Sequence, residues 1–269
     1  MRRRLMLIAV CIFAAAAVAA ASDNEIPKRP EDLVFGTIEW NIPVADDLRF
    51  ELANGIPVYA VPDSQFPLIN IAVYFRGGRY LVPPGHEGLH TVTDEVWRTG
   101  GAGELTASEL DEELDFLAAN LSVNIGDVTG SVSLNVLSKD LEPAMALMMA
   151  VLTEPRFQED RFAKAKDDLI QDMKTRNDNT ASIEGREWSR LIYGEDYFMN
   201  RLATSGSVET LTQEMARDFV TSLIRSDNII LTVSGDFDEA GIKGYLEQHF
   251  GALPKLETAL PAIPQPDHT

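Results

Sequence analysis

Residues 88–101 read Gly88-Leu89-His90-Thr91-Val92-Thr93-Asp94-Glu95-Val96-Trp97-Arg98-Thr99-Gly100-Gly101. At about 100° per residue, Leu89, Val92 and Val96 share one helical face, while Thr91, Asp94 and Glu95 stand at i, i+3 and i+4 on the other. A helix with one apolar stripe buries that stripe against a core, so the polar trio is presented together on the opposite side. Two side chains one turn apart is the geometry that lets a helix hold a metal ion. Here the groups so placed are a hydroxyl and two carboxylates. Threonine stays protonated at neutral pH and is a poor zinc donor beside imidazole or thiolate.

The flanking sequence places this helix in a sheet protein. Residues 50–62 (FELANGIPVYAVP) hold two apolar runs around Asn54-Gly55, the strongest short hairpin signal. Residues 68–75 (LINIAVYF) are a β-branched and aromatic strand, after which Gly77-Gly78 and Pro83-Pro84-Gly85 break the chain before a helix starting near Glu87. Residues 106–118 predict a second helix, capped by Thr106 or Ser108, with Leu110, Leu114 and Leu117 at helical spacing. Residues 121–125 and 130–137 alternate apolar and polar, as two half-buried strands do. Helices are expected at about 139–152, 158–178, 181–193, 212–224 and 238–249, with one late strand at 229–234. That order predicts an α+β fold: a mixed or antiparallel sheet with helices packed on one side.

The ends read differently. Arg2, Arg3 and Arg4, an apolar run over 5–18 and small residues at 19–22 make residues 1–21 a secretory signal peptide. Residues 22–45 are an extended N-terminal arm, residues 46–255 the α+β domain, and residues 256–269 a Pro-rich linker or truncated end. The one cysteine, Cys11, falls within the leader, which excludes disulfides and cysteine ligands from the mature chain. The net charge of −19 repels phosphate backbones, so nucleic acid is not an expected partner. No Ser/His/Asp order, P-loop or dinucleotide glycine pattern is present.

Several longer stretches share one resemblance. FRGGRYLVPPGHEGL (75–89), the strand pair and helix of 117–157, and SDNIILTVSGDFDEAGIKGYLEQHFGALP (226–254) resemble, in order and spacing, one domain of the M16 peptidases, the pitrilysin/insulinase or inverzincin group. The likeness covers roughly residues 45–255 and implies the family's metallohydrolase domain fold. In that family an H-x-x-E-H helix supplies two zinc-binding histidines and a glutamate that activates water. Laid over it, the first histidine falls on Thr91, the general base on Asp94 and the second histidine on Glu95. The family's third ligand, a glutamate, corresponds to Asp172 in AKAKDDLIQDMKTRNDN (163–179).

The resemblance therefore implies a non-catalytic peptidase-like domain. It would be a partner or chamber-forming half of a complex whose zinc-bearing M16 subunit, or second M16-like domain, works on peptides or unfolded protein. No cofactor is expected in this chain, although zinc serves the family. The strand carrying Leu121, Ser122, Val123 and Asn124 would line the chamber, where a peptide can add as an extra strand. The leader places the protein in the periplasm or cell envelope. Two alternatives stand beside this. One is an active metallopeptidase with an altered site of Glu95, Asp172 and either His86 or His90; without a histidine, Glu95 and Asp172 with Asp94 nearby would be an all-oxygen cluster better suited to Mg²⁺ or Ca²⁺. The other is a peptide-binding scaffold without a protease partner. Separately, His86-Glu87-Gly88-Leu89-His90 satisfies the zincin H-E-x-x-H pattern, with Glu109, Glu112 or Glu113 as a further ligand.

Overall fold

A computed structural model describes residue 29, residues 44–255 and residues 259–266. The expected leader and nearly all of the arm lie outside the described residues. Among the described residues, six strands form one sheet: β1 (Arg49–Glu51), β2 (Pro57–Pro62), β3 (Leu68–Arg76), β4 (Asn120–Ile125), β5 (Thr129–Leu137) and β6 (Ile229–Gly235). Their spatial order is β1-β2-β6-β3-β5-β4. The late strand β6 inserts between β2 and β3, parallel to β2 and antiparallel to β3. Every other pairing is antiparallel, so the sheet is mixed.

Period-2 alternation gives the sheet two unlike faces. Ile69, Ile71, Val73 and Phe75 of β3, Val132, Leu134 and Val136 of β5, and Ile229, Leu231 and Val233 of β6 are all buried. Asn70, Ser133, Asn135, Thr232 and Ser234 line a shallow depression of about 410 Å³ on the opposite face. There the Asn135 amide donates to Asn70 Oδ1 at 2.6 Å. The helices cover the apolar face and leave the polar face open.

The β1–β2 hairpin turns at Ala53-Asn54 with Gly55 at φ 89°, a left-handed conformation that favours glycine. Asn54 also donates to Phe250 O at 2.9 Å, tying the turn to the far end of the chain. Helix α1 runs over Leu89–Thr99, two residues later than the sequence suggests, because Gly88 takes φ 104° as its N-cap. Helix α2 (Ala107–Phe116) starts in a complete capping box between Thr106 and Glu109. It is followed by α3 (Leu141–Thr153), α4 (Glu159–Thr175), α5 (Thr180–Tyr193), the single-turn α6 (Ser205–Glu209), α7 (Gln213–Leu223) and α8 (Ile242–Phe250). Helix α1 packs on α4, α7 and edge strand β4. No described helix is long and apolar enough to cross a membrane.

Two aromatic side chains show how unevenly the helices are covered. Trp188 is 54 % exposed, on a helix none of whose residues is buried, so it does not anchor packing. His249, in the last turn of α8, is only 13 % exposed; it packs on the Tyr245 ring, 4.7 Å between centroids, with Nε2 3.7 Å from Glu142. Met145 and Met148 are fully buried, in keeping with a core-filling role.

Candidate functional site

The buried stripe of α1 comprises Leu89, Val92, Thr93, Val96 and Trp97, so Thr91, Asp94 and Glu95 are turned away from it. Trp97 fixes the helix: its indole N–H donates to Val151 O at 2.8 Å, and its ring lies 5.9 Å from that of Phe75 on β3. The platform that carries the polar trio is thus tied to both a helix and the central sheet.

Each member of the trio has a distinct environment. Thr91 is exposed, with Oγ1 3.3 Å from His90 Nε2. Asp94, which the resemblance sets against the family's general base, is half-buried, and its Oδ1 accepts the Ile125 N–H at 2.6 Å. Gly126 N–H bonds Thr129 O, and by antiparallel alternation the neighbouring Ile125 N–H then points off the free edge of β4. Asp94 therefore satisfies a donor at the sheet edge and holds the end of the edge strand against α1. Burial raises its pKa; the Ile125 N–H opposes the shift and Glu95 adds to it. Glu95 is exposed. Lys164 on α4, whose ammonium is held up chiefly by Asp168, also feels Glu95. Asp172 is exposed on α4, the helix against α1.

This donor set does not fit zinc. Thr91 offers a neutral oxygen, Asp94 is committed to the backbone, and the remaining groups are solvated carboxylates without a nitrogen donor among them. Among the described residues, no three His, Cys, Asp or Glu side chains come together closely enough to hold a metal ion. His86 and His90 stand on different elements. His86 lies in the turn before α1, with Nδ1 3.4 Å from Thr210 Oγ1, and only His90 is on the helix. The one-turn helical spacing that H-E-x-x-H chemistry needs is absent from this geometry. Glu87 accepts the Gly85 N–H within that turn, at 3.1 and 3.2 Å. Glu109 closes the α2 capping box, and Glu112 and Glu113 follow on the same helix.

Two functional candidates escape the sequence reading. Arg79, in the turn after β3, and Arg201, just before α6, flank the N-terminus of α1 beside His90 and Thr91 and line a cavity of about 140 Å³. Arg79 donates to Arg201 O at 2.9 Å and Arg201 to Val82 O at 3.0 Å. Burial, and secondarily Arg79, pushes the His90 imidazole down to about 4, so it is neutral at physiological pH. No local motif could reveal the pair, because 122 residues separate the arginines.

The edge strand offers a second surface. Leu121 and Val123 share the parity of Ile125, so their N–H groups also point off the sheet edge, while Ser122 opens onto the polar depression. Asn124 lies opposite Ser131.

The Asp94–Ile125 contact makes a testable claim. A carboxyl whose folded pKa is raised favours the native state while protonated, below the usual value of 3.8, and loses that contribution as pH rises through the folded pKa. Asp94→Asn removes the half-buried charge and keeps an oxygen to accept from Ile125. Its thermal midpoint should exceed that of the unmodified chain at neutral pH, the gap closing in acid. Asp94→Ala, which leaves the Ile125 N–H unmet, should instead lose about 1–3 kcal/mol in urea titrations. A neutral-pH midpoint lowered by the asparagine variant would contradict this account of the site.

A family model described as the peptidase M16 inactive domain matches residues 210–269. An uncharacterized zinc protease of Rickettsia bellii (strain RML369-C) is 24 % identical over 212 residues, covering 77 % of this chain and 50 % of that protein. Mitochondrial-processing peptidase subunit alpha-1 of Dictyostelium discoideum is 21 % identical over 220 residues, covering 81 % of this chain and 33 % of its own. Among solved structures, a peptidase M16 inactive domain from Pseudomonas fluorescens superposes with TM-score 0.72 at 21 % identity, over 81 % of this chain and 53 % of that one. The periplasmic protease PqqL of Escherichia coli gives TM-score 0.72 at 17 % identity, over 80 % of this chain and 24 % of its own. The chain spans about half the length, or less, of the relatives it matches.

Proposed function

We propose that this chain, an M16 peptidase-like domain by sequence and fold, holds peptides without cleaving them, as the metal-free half of a zinc peptidase assembly. The single observation that carries this reading is the donor set on α1. The helix is anchored by Trp97 as a ligand-bearing helix must be, yet its three outward groups are a hydroxyl, an edge-strand acceptor and a solvated carboxylate. Such a site neither grips zinc nor positions a water for attack.

The peptide would lie along β4, using the outward N–H groups of Leu121 and Val123 as ladder donors, with Ser122 and Asn124 beside it. Strand addition takes affinity from main-chain hydrogen bonds and tolerates many sequences. Catalysis would come from a zinc-bearing M16 subunit or a second M16-like domain. The leader-like N-terminus supports a periplasmic or envelope location, where PqqL also works.

Metal analysis of the purified mature chain, alone and with a zinc-bearing partner, tests this. The chain alone is expected to retain far less than one zinc per molecule after dialysis and to leave unstructured peptides uncut; with the partner, zinc and EDTA-sensitive cleavage should appear together. EDTA-sensitive cleavage by the isolated chain would overturn the reading and favour an altered site built from Glu95, Asp172 and a histidine.

A further inference from the structure

We infer that the cavity at the N-terminus of α1 is a carboxylate-binding pocket built on the guanidinium groups of Arg79 and Arg201. Its natural ligand, on the peptide-holding reading above, is a peptide's free C-terminus or an acidic side chain.

Four observations converge on an anion. First, two guanidinium groups lie close together at a cavity of about 140 Å³, several times the roughly 30 Å³ that one water occupies. Like charges are brought together and partly desolvated only where something offsets them. Second, their own partners leave donors over. Each guanidinium carries five N–H donors in a planar fork. Arg79 directs one to Arg201 O and makes a loose 3.8 Å ion pair with Asp127, itself partly exposed. Arg201 directs one to Val82 O, and its buried Nε has no partner among the described residues. Third, the buried Nδ1 of His90 is likewise unpartnered, at the rim of the same cavity. Fourth, Gly88 caps α1 without any side-chain acceptor; the Leu89 N–H turns back to His86 O at 3.0 Å, but among the described residues nothing accepts from the His90 and Thr91 N–H groups, and both residues line the cavity at the positive end of the helix dipole.

The acids nearby do not already fill this role. Glu87 lines the cavity, but its carboxylate is turned to the Gly85 N–H. Asp127 meets only one terminal nitrogen of Arg79, at a distance beyond hydrogen bonding. The paired forks favour a planar carboxylate that can be gripped through two parallel N–H bonds. The net charge of −19 repels an anion at long range, so recognition rests on these short contacts.

The test uses the full chain and four probes at fixed ionic strength: acetate, an N-acetylated neutral hexapeptide with a free C-terminus, its C-terminal amide, and that amide with an internal glutamate. Binding is read from the NMR shifts of the His90 ring protons and the Gly88 amide. Acetate and the free-acid peptide should give saturable shifts, and the plain amide at least tenfold weaker ones; the glutamate-bearing amide decides between the two carboxylate sources. Arg201→Gln should weaken acetate at least tenfold, and Arg201→Lys, which keeps the charge but not the fork, by several-fold. Circular dichroism and unchanged Trp97 resonances verify that both variants fold. Linear, non-saturating shifts, or equal acetate affinity in Arg201→Gln, overturn the pocket. Acetate binding without any peptide binding keeps the pocket and sinks the peptide-holding function instead. Inorganic phosphate, run as a competitor, should displace acetate no better than tenfold; tighter phosphate binding would overturn the carboxylate assignment.

Discussion

Trp97→Ala should lower the unfolding free energy by about 3–5 kcal/mol, the range for removing a large aromatic from a closed core. The ring is fully buried and packs against Phe75, so little relaxation is available to close the void. The loss also strands Val151 O, which now accepts the indole N–H at 2.8 Å. Equilibrium urea unfolding followed by far-UV circular dichroism measures the change, since the main fluorophore of the core is gone. Trp97→Phe separates the two contributions: it keeps most of the volume and loses the donor, so it should cost markedly less than the alanine variant. If both substitutions cost under about 1 kcal/mol, the helix is not anchored as described and its outward face has no fixed geometry. At Trp188, 54 % exposed, an alanine should change stability by no more than about 0.5 kcal/mol.

Those two tryptophans show where sequence reading succeeds and stops. Periodicity finds the elements: the alternation in β3 and β5 and the stripe of α1 each record which face is buried. It does not reveal whether an apolar helical face has something to pack on. Helix α5 carries Trp188, Leu191 and Ile192, all exposed, on a face no other described element covers. Strand order is hidden for a related reason. Nothing local in residues 229–235 announces that they slip between β2 and β3, because that placement follows from long-range pairing with both neighbours at once.

The site divides along the same line. The i, i+3, i+4 grouping of Thr91, Asp94 and Glu95 is legible because it is a property of one helix. What Asp94 does is not, since its partner is a backbone N–H 31 residues away on another element. The Arg79–Arg201 cavity is further still from local pattern: two loop residues meet only after the sheet, α1 and α6 have packed. Family resemblance suggests the register of the motif and hence which positions to compare with zinc donors. It adds nothing about the arginines.

Thr91→His combined with Glu95→His should give a chain that holds about one zinc per molecule, well above what the unmodified chain retains. Both positions are exposed and lie one helical turn apart on a helix held at Trp97, the spacing at which two imidazoles grip one ion. A helix pair alone supplies two nitrogens; a carboxylate oxygen must complete the set. Asp172 on the adjoining α4 is the candidate, so adding Asp172→Ala should weaken zinc at least tenfold relative to the double-histidine chain. Atomic absorption after dialysis and competition with a chromophoric chelator give stoichiometry and affinity. The double variant should remain a poor peptidase, because Asp94 stays bound to the Ile125 N–H and is one methylene shorter than the glutamate of the active family. Failure to acquire zinc would mean that α1 and α4 do not stand in the arrangement that a shared ion requires. Acquisition of zinc together with cleavage would show that side-chain identity at two positions was the whole difference.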